Sequence, residues 1–470
     1  MIRIRPNPRQ VRYFSCSVRA LNAKPPATGS ERANSKAEPT VSASPSSTSS
    51  GSEASSDNGS SKSSSSSSST VSSELSMFDL NLLNVQASTN IRKFSDLPQS
   101  FGYNQHVKID NEMREKLRSV LWKFKAPIRY AFAYGSGVFS QGAASKKSNP
   151  QIDLIFAVSH TQHWHSLNIK QFPEHYSGLR MLGSGTVSMI QDHLGAGVYF
   201  NPYVEMNGLK IKYGVVNVDT LLHDLGDWST LYLAGRLHKP VKILRDEPKV
   251  RFVNQANLLS VLRAALLLLP EEFTELELYK MIASVSYMGD FRMTFGENPK
   301  KIDNIVNNQF LNFRRLYSPF MDSLPNLELG SAASHGLSTD SNVSVATLRQ
   351  DRDPVKRGNM VVRLPAEFKY KLYRRYATKL RETNPDDPHL REAVEKASTI
   401  RPDPSVKTVG SEFDRLIAKD EDLSKEVSRI IRHTVAWPSI SQSVKGILTA
   451  GMVKSVKYSS EKLKKYYQAK

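Results

Sequence analysis

Cysteine is almost absent from this 470-residue chain, which also contains no long hydrophobic run. The single cysteine, Cys16, lies near the start, so the rest of the chain can form no disulfide framework or cysteine-based zinc site and cannot use a thiol in catalysis. The most apolar stretch, 258–269, contains Arg263 and is shorter than the roughly 20 residues that cross a bilayer. We predict that this stretch is a buried helix and that no segment spans a membrane.

Acidic residues are missing before Glu31, whereas residues 1–24 carry five arginines among apolar and hydroxyl side chains. This composition is typical of a mitochondrial targeting segment, with a basic unstructured tail as the alternative. Residues 25–77 follow, and serine dominates them from 44 to 73. Because so little apolar surface cannot offset the chain entropy lost on folding, we predict a disordered linker there.

The chain is strongly basic, with 64 lysines and arginines against 45 acidic residues and a net charge of +19. Such a balance favours anionic partners, including nucleic acid, anionic lipid and phosphate-rich substrates. Much of the excess lies near the two ends of the chain, so it does not indicate a nucleic-acid groove in the folded part. We expect no stable nucleic-acid partner.

Hydrophobic periodicity over residues 78–253 predicts an α/β domain built on a mixed sheet. Two apolar runs, 197–205 and 209–218, flank Asn207-Gly208, which is the turn signature of a β-hairpin. Strand and helix patterns alternate elsewhere in this region. Its length is that of a single domain, so we predict that these residues form one catalytic domain.

Residues 254–442 are predicted to form a second, mainly α domain, with a polar disordered insertion at 326–356. The last segment, 443–470, combines apolar residues at helical spacing with many lysines, Lys445 among them, against the single Glu461. A cationic amphipathic helix can lie on an anionic membrane surface. The alternative is a helix packed on the protein with a solvated basic face.

The densest functional signal is a glycine-serine turn between two apolar runs. The run 130–134 ends in Gly135-Ser136-Gly137, and the run 152–158 carries Asp153 as its only acid. Glycines let the backbone turn and approach a ligand closely, and a serine hydroxyl can bind phosphate oxygens. A carboxylate provides the hard oxygen that Mg²⁺ prefers. The pattern suits a magnesium–nucleotide site, although a tight turn beside a solvated aspartate gives the same short motif.

Nucleotidyl transfer with Mg²⁺ requires a second carboxylate beside Asp153. The next position on the same face of the strand is Ile155, so the second acid must come from a neighbouring strand. Asp219, at the end of the hairpin, is our first candidate ligand, and Glu205, across the hairpin, is the second. Asp219 could equally serve as the N-cap of the helix that follows it.

Two further clusters combine charges suited to phosphate. Arg236 and Lys239 lie in a Gly-Arg-Leu-His-Lys-Pro loop, where a planar fork and a mobile point charge could both bind phosphate. The alternative is a solvated turn with salt bridges. Asp290 and Arg292 are close enough to hold a substrate head group or to pair with each other, and on their own they favour the structural role.

Taken together, these segments resemble the mitochondrial phosphatidate cytidylyltransferase family. The resemblance covers about residues 78–470 without the polar insertions. It rests on 134–139, 152–158 with 164–166, 195–199, 212–216, 231–241, 286–293 and 445–451.

The resemblance implies a nucleotidyltransferase-like α/β domain, a helical second domain and a C-terminal membrane-associating helix. It implies that CTP and phosphatidic acid react, with Mg²⁺, to give CDP-diacylglycerol and pyrophosphate for cardiolipin synthesis. The expected location is peripheral, on the matrix side of the mitochondrial inner membrane. An RNA nucleotidyltransferase and a non-catalytic import or assembly factor are the alternatives.

The family pattern places a Gly-Ser turn before paired strand acids. Gly135, Ser136 and Asp153 match it, whereas Ile155 departs from the second acid. We therefore expect catalytic roles for Asp153, Asp219 and Lys239. Nucleotide contacts are expected from Gly135, Ser136, Gly137, Arg236, Asp290 and Arg292, and metal ligands from Asp153, Asp219 and Glu205.

Overall fold

A computed structural model of the chain describes residues 100–139, 151–295, 297–329, 345–399 and 409–451. The targeting segment, the serine-rich linker and the part of the basic tail beyond Gly451 lie outside these residues. The α/β class predicted from the sequence is confirmed by a five-stranded mixed sheet and many helices.

The central sheet has the strand order β3-β4-β2-β1-β5. Its strands are β1 Tyr130–Tyr134, β2 Ile152–Val158, β3 Val198–Met206, β4 Leu209–Asn217 and β5 Lys242–Arg245. Strands β2 and β4 pair in parallel, while β1–β2, β1–β5 and β3–β4 pair antiparallel. The predicted hairpin is confirmed as β3–β4, and Asn207 and Gly208 in its turn both have positive φ.

Among the described residues, six helices accompany this sheet. They are α1 Asn111–Lys123, α2 Thr161–Gln171, α3 Gly183–His193, α4 Val218–Asp227, α5 Ala234–Leu237 and α6 Pro248–Leu268. A 3-10 helix, Gly178–Leu182, leads into α3. Residues 258–269 belong to α6 and its C-cap and are almost fully buried, as the sequence predicts.

Alternation along the strands divides the core between the two faces of the sheet. Ala131, Leu154 and Phe156 pack on one face together with residues of α1 and α2. On the other face, Ile155 and Ala157 belong to a larger core that includes α6 and the C-terminal helices. Asp153 precedes Ile155 by two positions, so it lies on the face that meets the helical part of the chain.

The helical part contains nine described helices and a small antiparallel sheet of order β6-β8-β7. The helices are α7 Glu275–Val285, α8 Arg292–Phe295, α9 Lys301–Asn308, α10 Phe310–Met321, α11 Pro354–Val362, α12 Ala366–Thr383, α13 Leu390–Ser398, α14 Glu412–Lys419 and α15 Leu423–Ala450. The strands are β6 Glu272–Thr274, β7 Leu327–Leu329 and β8 Thr347–Gln350.

The structure corrects the predicted divisions of the chain. Helix α6 runs without interruption across the expected boundary at 253/254, because its side chains join the sheet and the helical part in one core. Within the expected disordered insertion, β7 and β8 pair with each other. The side chain of Gln350 is buried there and donates to the carbonyls of Leu266 and Leu269 at the end of α6.

The boundary expected at 442/443 also falls inside a helix, α15. One face of α15 is buried, and the exposed face carries Trp437, Ile440, Val444, Ile447 and Leu448 at helical spacing. Lys445, expected to supply charge on the polar face of a cationic amphipathic helix, is instead buried and donates to the carbonyl oxygens of Gln191 and Leu194. These bonds join α15 to the end of α3, and burial lowers the pKa of Lys445 to about 7.

No helix among the described residues has both the length and the apolar character needed to cross a bilayer.

A buried ion pair in the helical part gives a stability prediction. Arg314 donates to both carboxylate oxygens of Glu275, and both side chains are fully buried. Arg314→Ala leaves the Glu275 charge unpaired, so we expect the free energy of unfolding in urea to fall by about 3–5 kcal/mol. Arg349→Ala is the control, since Arg349 is 61% exposed where it pairs with Glu271, and its loss should change the free energy of unfolding far less. Similar small losses in both variants would contradict the prediction.

Candidate active site

The glycine turn after β1 lies directly beside Asp153. Gly135 has φ +83°, and its carbonyl accepts from the N–H groups of Val138 and Phe139, which closes the turn. A Cβ added at Gly135 would lie 3.7 Å from Asp153 Oδ2, and one at Gly137 would lie 2.7 Å from the Gln151 carbonyl oxygen. Glycine is therefore required where the turn packs on the start of β2. Ser136 is exposed in this turn, next to the pocket rather than in its lining.

A polar pocket opens beside Asp153, between the sheet and the helical part. Five of the residues expected from the sequence line it: Asp153, Arg236, Lys239, Asp290 and Arg292. The sequence did not identify its other charged residues, Lys212, Glu297 and Lys301, or its aromatic residues, Tyr134, Tyr232 and Tyr287. Helix α15 contributes Val435 and Ser439.

Lys212 is the basic partner of Asp153. The two residues are opposite each other in the parallel register of β2 and β4, and Lys212 Nζ lies 3.5 Å from Asp153 Oδ1. Lys212 also stands over the ring of Phe200, 4.6 Å from its centroid. Asp153 keeps 32% of its side chain exposed, so its carboxylate is accessible from the pocket.

Arg236 is held against aromatic rings in the lining of the pocket. Its guanidinium lies 3.9 Å from the centroid of the Tyr232 ring and donates to the Tyr232 carbonyl and, at 3.2 Å, to the Tyr134 hydroxyl. These contacts fix the direction of the guanidinium without neutralising it, because no carboxylate among the described residues pairs with it.

Lys239 extends the same positive region. Its Nζ donates to Ser286 Oγ at 2.7 Å and to the Gly235 carbonyl. Burial, followed by the charges of Arg236 and Lys301, lowers the pKa of Lys239 well below its ordinary value of 10.5. No described carboxylate offsets these effects, so a bound anion would stabilise the charged form.

The other cations of the pocket are paired. Arg292 donates to Asp290 through Nε at 3.0 Å and through Nη2 at 2.6 Å, and Lys301 Nζ lies 2.8 Å from Glu297 Oε2. Burial alone would raise the pKa of Asp290, but the hydrogen bonds and charge of Arg292 lower it. The expected Asp290–Arg292 cluster is thus an ion pair in the pocket wall, and Arg292 keeps a charged edge next to Arg236.

Asp219 and Glu205 do not lie beside Asp153. The parallel register pairs Asn217, just before Asp219, with Val158 at the far end of β2. Asp219 is exposed in the first turn of α4, whose N-cap is Asn217. Glu205 lies on β3, is exposed, and is opposite Lys210 of β4. Strand β4 therefore separates Glu205 from Asp153. The structure therefore brings neither expected partner to Asp153.

Among the described residues no group of three or more histidine, cysteine, aspartate or glutamate side chains is arranged to hold a metal. Asp153 alone still fits a Mg²⁺ ion that is bound mainly by its substrate. Mg²⁺ keeps several waters and is commonly held by one or two carboxylates together with substrate phosphates. The accessible oxygens of Asp153, next to the tight glycine turn, meet that requirement.

The geometry defines a class of protein: a mixed α/β protein whose pocket combines an accessible carboxylate with an excess of positive charge. Five cationic side chains face three carboxylates there, and two of those carboxylates are already paired with Arg292 and Lys301. Such a pocket suits phosphate monoesters and polyphosphates.

Comparison with known proteins identifies the family. The family model described as "Phosphatidate cytidylyltransferase, mitochondrial" matches residues 117–465, and the chain belongs to this family. The protein of that name from Schizosaccharomyces pombe is 36% identical over 367 residues, which are 77% of this chain and 86% of that protein. The Xenopus laevis protein is 39% identical over 74% of this chain and 94% of its own length. The Saccharomyces cerevisiae protein is 48% identical over 48% and 60%, respectively.

Lys239 gives a prediction about pH. An anion bound beside it raises its lowered pKa, so binding takes up a proton when the pH lies between the pKa of the free site and the higher pKa of the complex. We expect the affinity for tripolyphosphate, measured by calorimetry, to fall as pH rises toward the ordinary lysine value. Lys239→Arg stays charged at every such pH and should remove most of this dependence. A wild-type affinity that is independent of pH would contradict the assignment.

Proposed function

We propose that this chain is a phosphatidate cytidylyltransferase, which converts CTP and phosphatidic acid to CDP-diacylglycerol and pyrophosphate. The observation that supports this most directly is the pair of cations, Arg236 and Lys239, that face the pocket of Asp153 without a carboxylate partner among the described residues. Membership of the family supports CTP and phosphatidic acid as the two substrates.

The reaction joins two anions. An oxygen of the phosphatidate phosphate attacks the α-phosphorus of CTP, a new P–O bond forms, and the bond to the pyrophosphate oxygen breaks with its electron pair on pyrophosphate. A phosphate monoester is already ionised near neutral pH, so little proton transfer is required. Catalysis then consists mainly of positioning the two anions and neutralising their charge.

The pocket residues divide this work. Arg236 and Lys239 neutralise charge on the triphosphate, and Lys212 does so beside Asp153. Asp153 would be the protein ligand of a Mg²⁺ ion, which, when bound, withdraws charge from the phosphates. The Asp290–Arg292 ion pair keeps the wall of the pocket rigid and places a guanidinium edge next to these groups. The glycine turn that follows β1, and Asp153 at the start of β2, support a nucleotidyltransferase-like arrangement.

We place the activity at the matrix side of the mitochondrial inner membrane, as a peripheral protein on an anionic surface that supplies cardiolipin synthesis. The relatives are named mitochondrial, and the arginine-rich start of the chain is consistent with targeting. The exposed apolar stripe on α15 supports contact with lipid. The lysines that follow Gly451 would add attraction to anionic lipids.

Asp153→Asn tests the chemistry. With CTP, Mg²⁺ and phosphatidate liposomes, we expect pyrophosphate release by the wild type and a loss of about 100-fold or more in kcat/KM for the variant, because the carboxylate that would hold Mg²⁺ beside the phosphates is removed. The same measurement on Asp219→Asn tests the expectation from the sequence that Asp219 is a second metal ligand beside Asp153.

The outcomes separate the alternatives. Activity of Asp153→Asn equal to the wild type would overturn the proposed site, and transfer to RNA instead of phosphatidate would favour an RNA nucleotidyltransferase. No pyrophosphate release by the wild type would favour a non-catalytic assembly factor. A loss in Asp219→Asn as large as that in Asp153→Asn would return Asp219 to the metal site.

Trp437→Ala tests the membrane-facing stripe. Trp437 is 72% exposed, and transferring such a side chain to the bilayer interface is worth roughly 1.5 kcal/mol, so its loss should weaken binding to anionic liposomes about tenfold. Trp122→Ala is the matched control, because Trp122 is 81% exposed on α1. Equal effects of the two substitutions in co-sedimentation would argue against α15 as the lipid contact.

A further inference from the structure

The loop between α4 and α5, residues 228–233, forms one wall of the pocket. It contributes Thr230, Leu231 and Tyr232, and it leads directly to Arg236. Two of its residues, Trp228 and Leu231, have φ values of +58° and +55°. This left-handed conformation is unfavourable for bulky side chains, so other contacts must hold the loop in place.

Asp224 on α4 provides those contacts. Its Oδ1 accepts from the Thr230 N–H at 2.8 Å, from the Thr230 hydroxyl at 2.8 Å and from the Ser229 hydroxyl at 3.2 Å. Its Oδ2 accepts from the N–H groups of Leu233 at 2.8 Å and Ala234 at 2.9 Å. The carboxylate is buried, with 2% exposure, and it ties together the two sides of the strained residue Leu231.

Other contacts fix the two ends of the loop, and between them the buried Leu231 side chain packs in the core. The Trp228 indole N–H donates to Asn257 Oδ1 at 2.8 Å. At the other end, a Cβ added at Gly235 would lie 2.3 Å from Ser286 Cβ, so α5 packs closely on that residue. Asp224 binds Thr230 and Leu233 on either side of Tyr232, whose own N–H donates to the Thr230 hydroxyl. Tyr232 in turn supports Arg236 through its ring and its carbonyl.

We propose that Asp224 is a positioning residue for the triphosphate: it holds loop 228–233 so that Tyr232 directs the Arg236 guanidinium into the pocket. This inference rests on the proposed function and deepens it. Asp224 does not line the pocket itself, so it acts on the ligand through Tyr232 and Arg236.

Asp224→Asn is the test, since it conserves size but replaces one acceptor oxygen with an NH₂ group that faces loop donors. We expect the Kd for CTP, measured by calorimetry, and the KM for CTP to rise about tenfold or more. The fitted stoichiometry reports the folded fraction. A merely structural role would lower that fraction and leave Kd and KM unchanged. Asp227→Asn, which removes a carboxylate that pairs with His223 on the same helix, should leave both constants unchanged.

A double-mutant cycle tests the route. If Asp224 acts through Arg236, Asp224→Asn should weaken CTP binding by less than about twofold in an Arg236→Ala background, whereas independent effects would multiply. Should Asp224→Asn fail to fold, Ser229→Ala removes one of the same bonds and should raise Kd in the wild-type background only. A normal Kd in folded Asp224→Asn, or multiplying effects, would overturn the inference. Failure of the wild type to bind CTP would overturn the proposed function instead.

Discussion

Unbalanced positive charge in the pocket is the constraint on which the rest of the site depends. A buried cation without a counter-ion is unfavourable unless dipoles or aromatic rings surround it. Arg236 and Lys239 have such surroundings: the Tyr232 ring, two backbone carbonyls and the Ser286 hydroxyl. No carboxylate among the described residues pairs with either cation. This uncompensated positive charge favours the binding of an anion such as a triphosphate. The fold therefore provides a preorganised anion site.

The parallel pairing of β2 and β4 decides which acids can take part. In a parallel pair the starts of both strands lie at one edge of the sheet and their ends at the other. Asp153 and Lys212 are both near the starting edge and become neighbours, whereas Asp219 follows the finishing edge and begins a helix there. Of the three acids expected as metal ligands, only Asp153 therefore reaches the pocket, which is consistent with a metal ion whose other ligands come from the substrate and water.

Local sequence patterns were sufficient to predict many of the strands and helices and part of the site. The strands around Asp153 and the hairpin could be predicted because alternation and turn residues are local signals. The cations Arg236 and Lys239 were identified by their charge, but Arg236 lies in helix α5 and not in the expected loop. Lys212 and the displacement of Asp219 depend on the register between strands distant in sequence, which no local pattern encodes. The boundaries at 253/254 and 442/443 failed for a related reason, since α6 and α15 each belong to the shared core. The burial of Lys445 is likewise a matter of tertiary packing.

Helix α15 links the proposed chemistry to the proposed lipid surface. Val435 and Ser439 line the pocket, and at 100° per residue the exposed stripe from Trp437 to Leu448 lies on roughly the opposite side of the same helix. One helix diameter, about 10 Å, then separates the pocket from a bilayer in contact with that stripe. A phosphatidate phosphate would have to rise by about this distance while its acyl chains stay in the lipid. In the proposed function, the excess positive charge of the pocket would supply the attraction for that displacement, so one feature would serve both the triphosphate and the lipid head group.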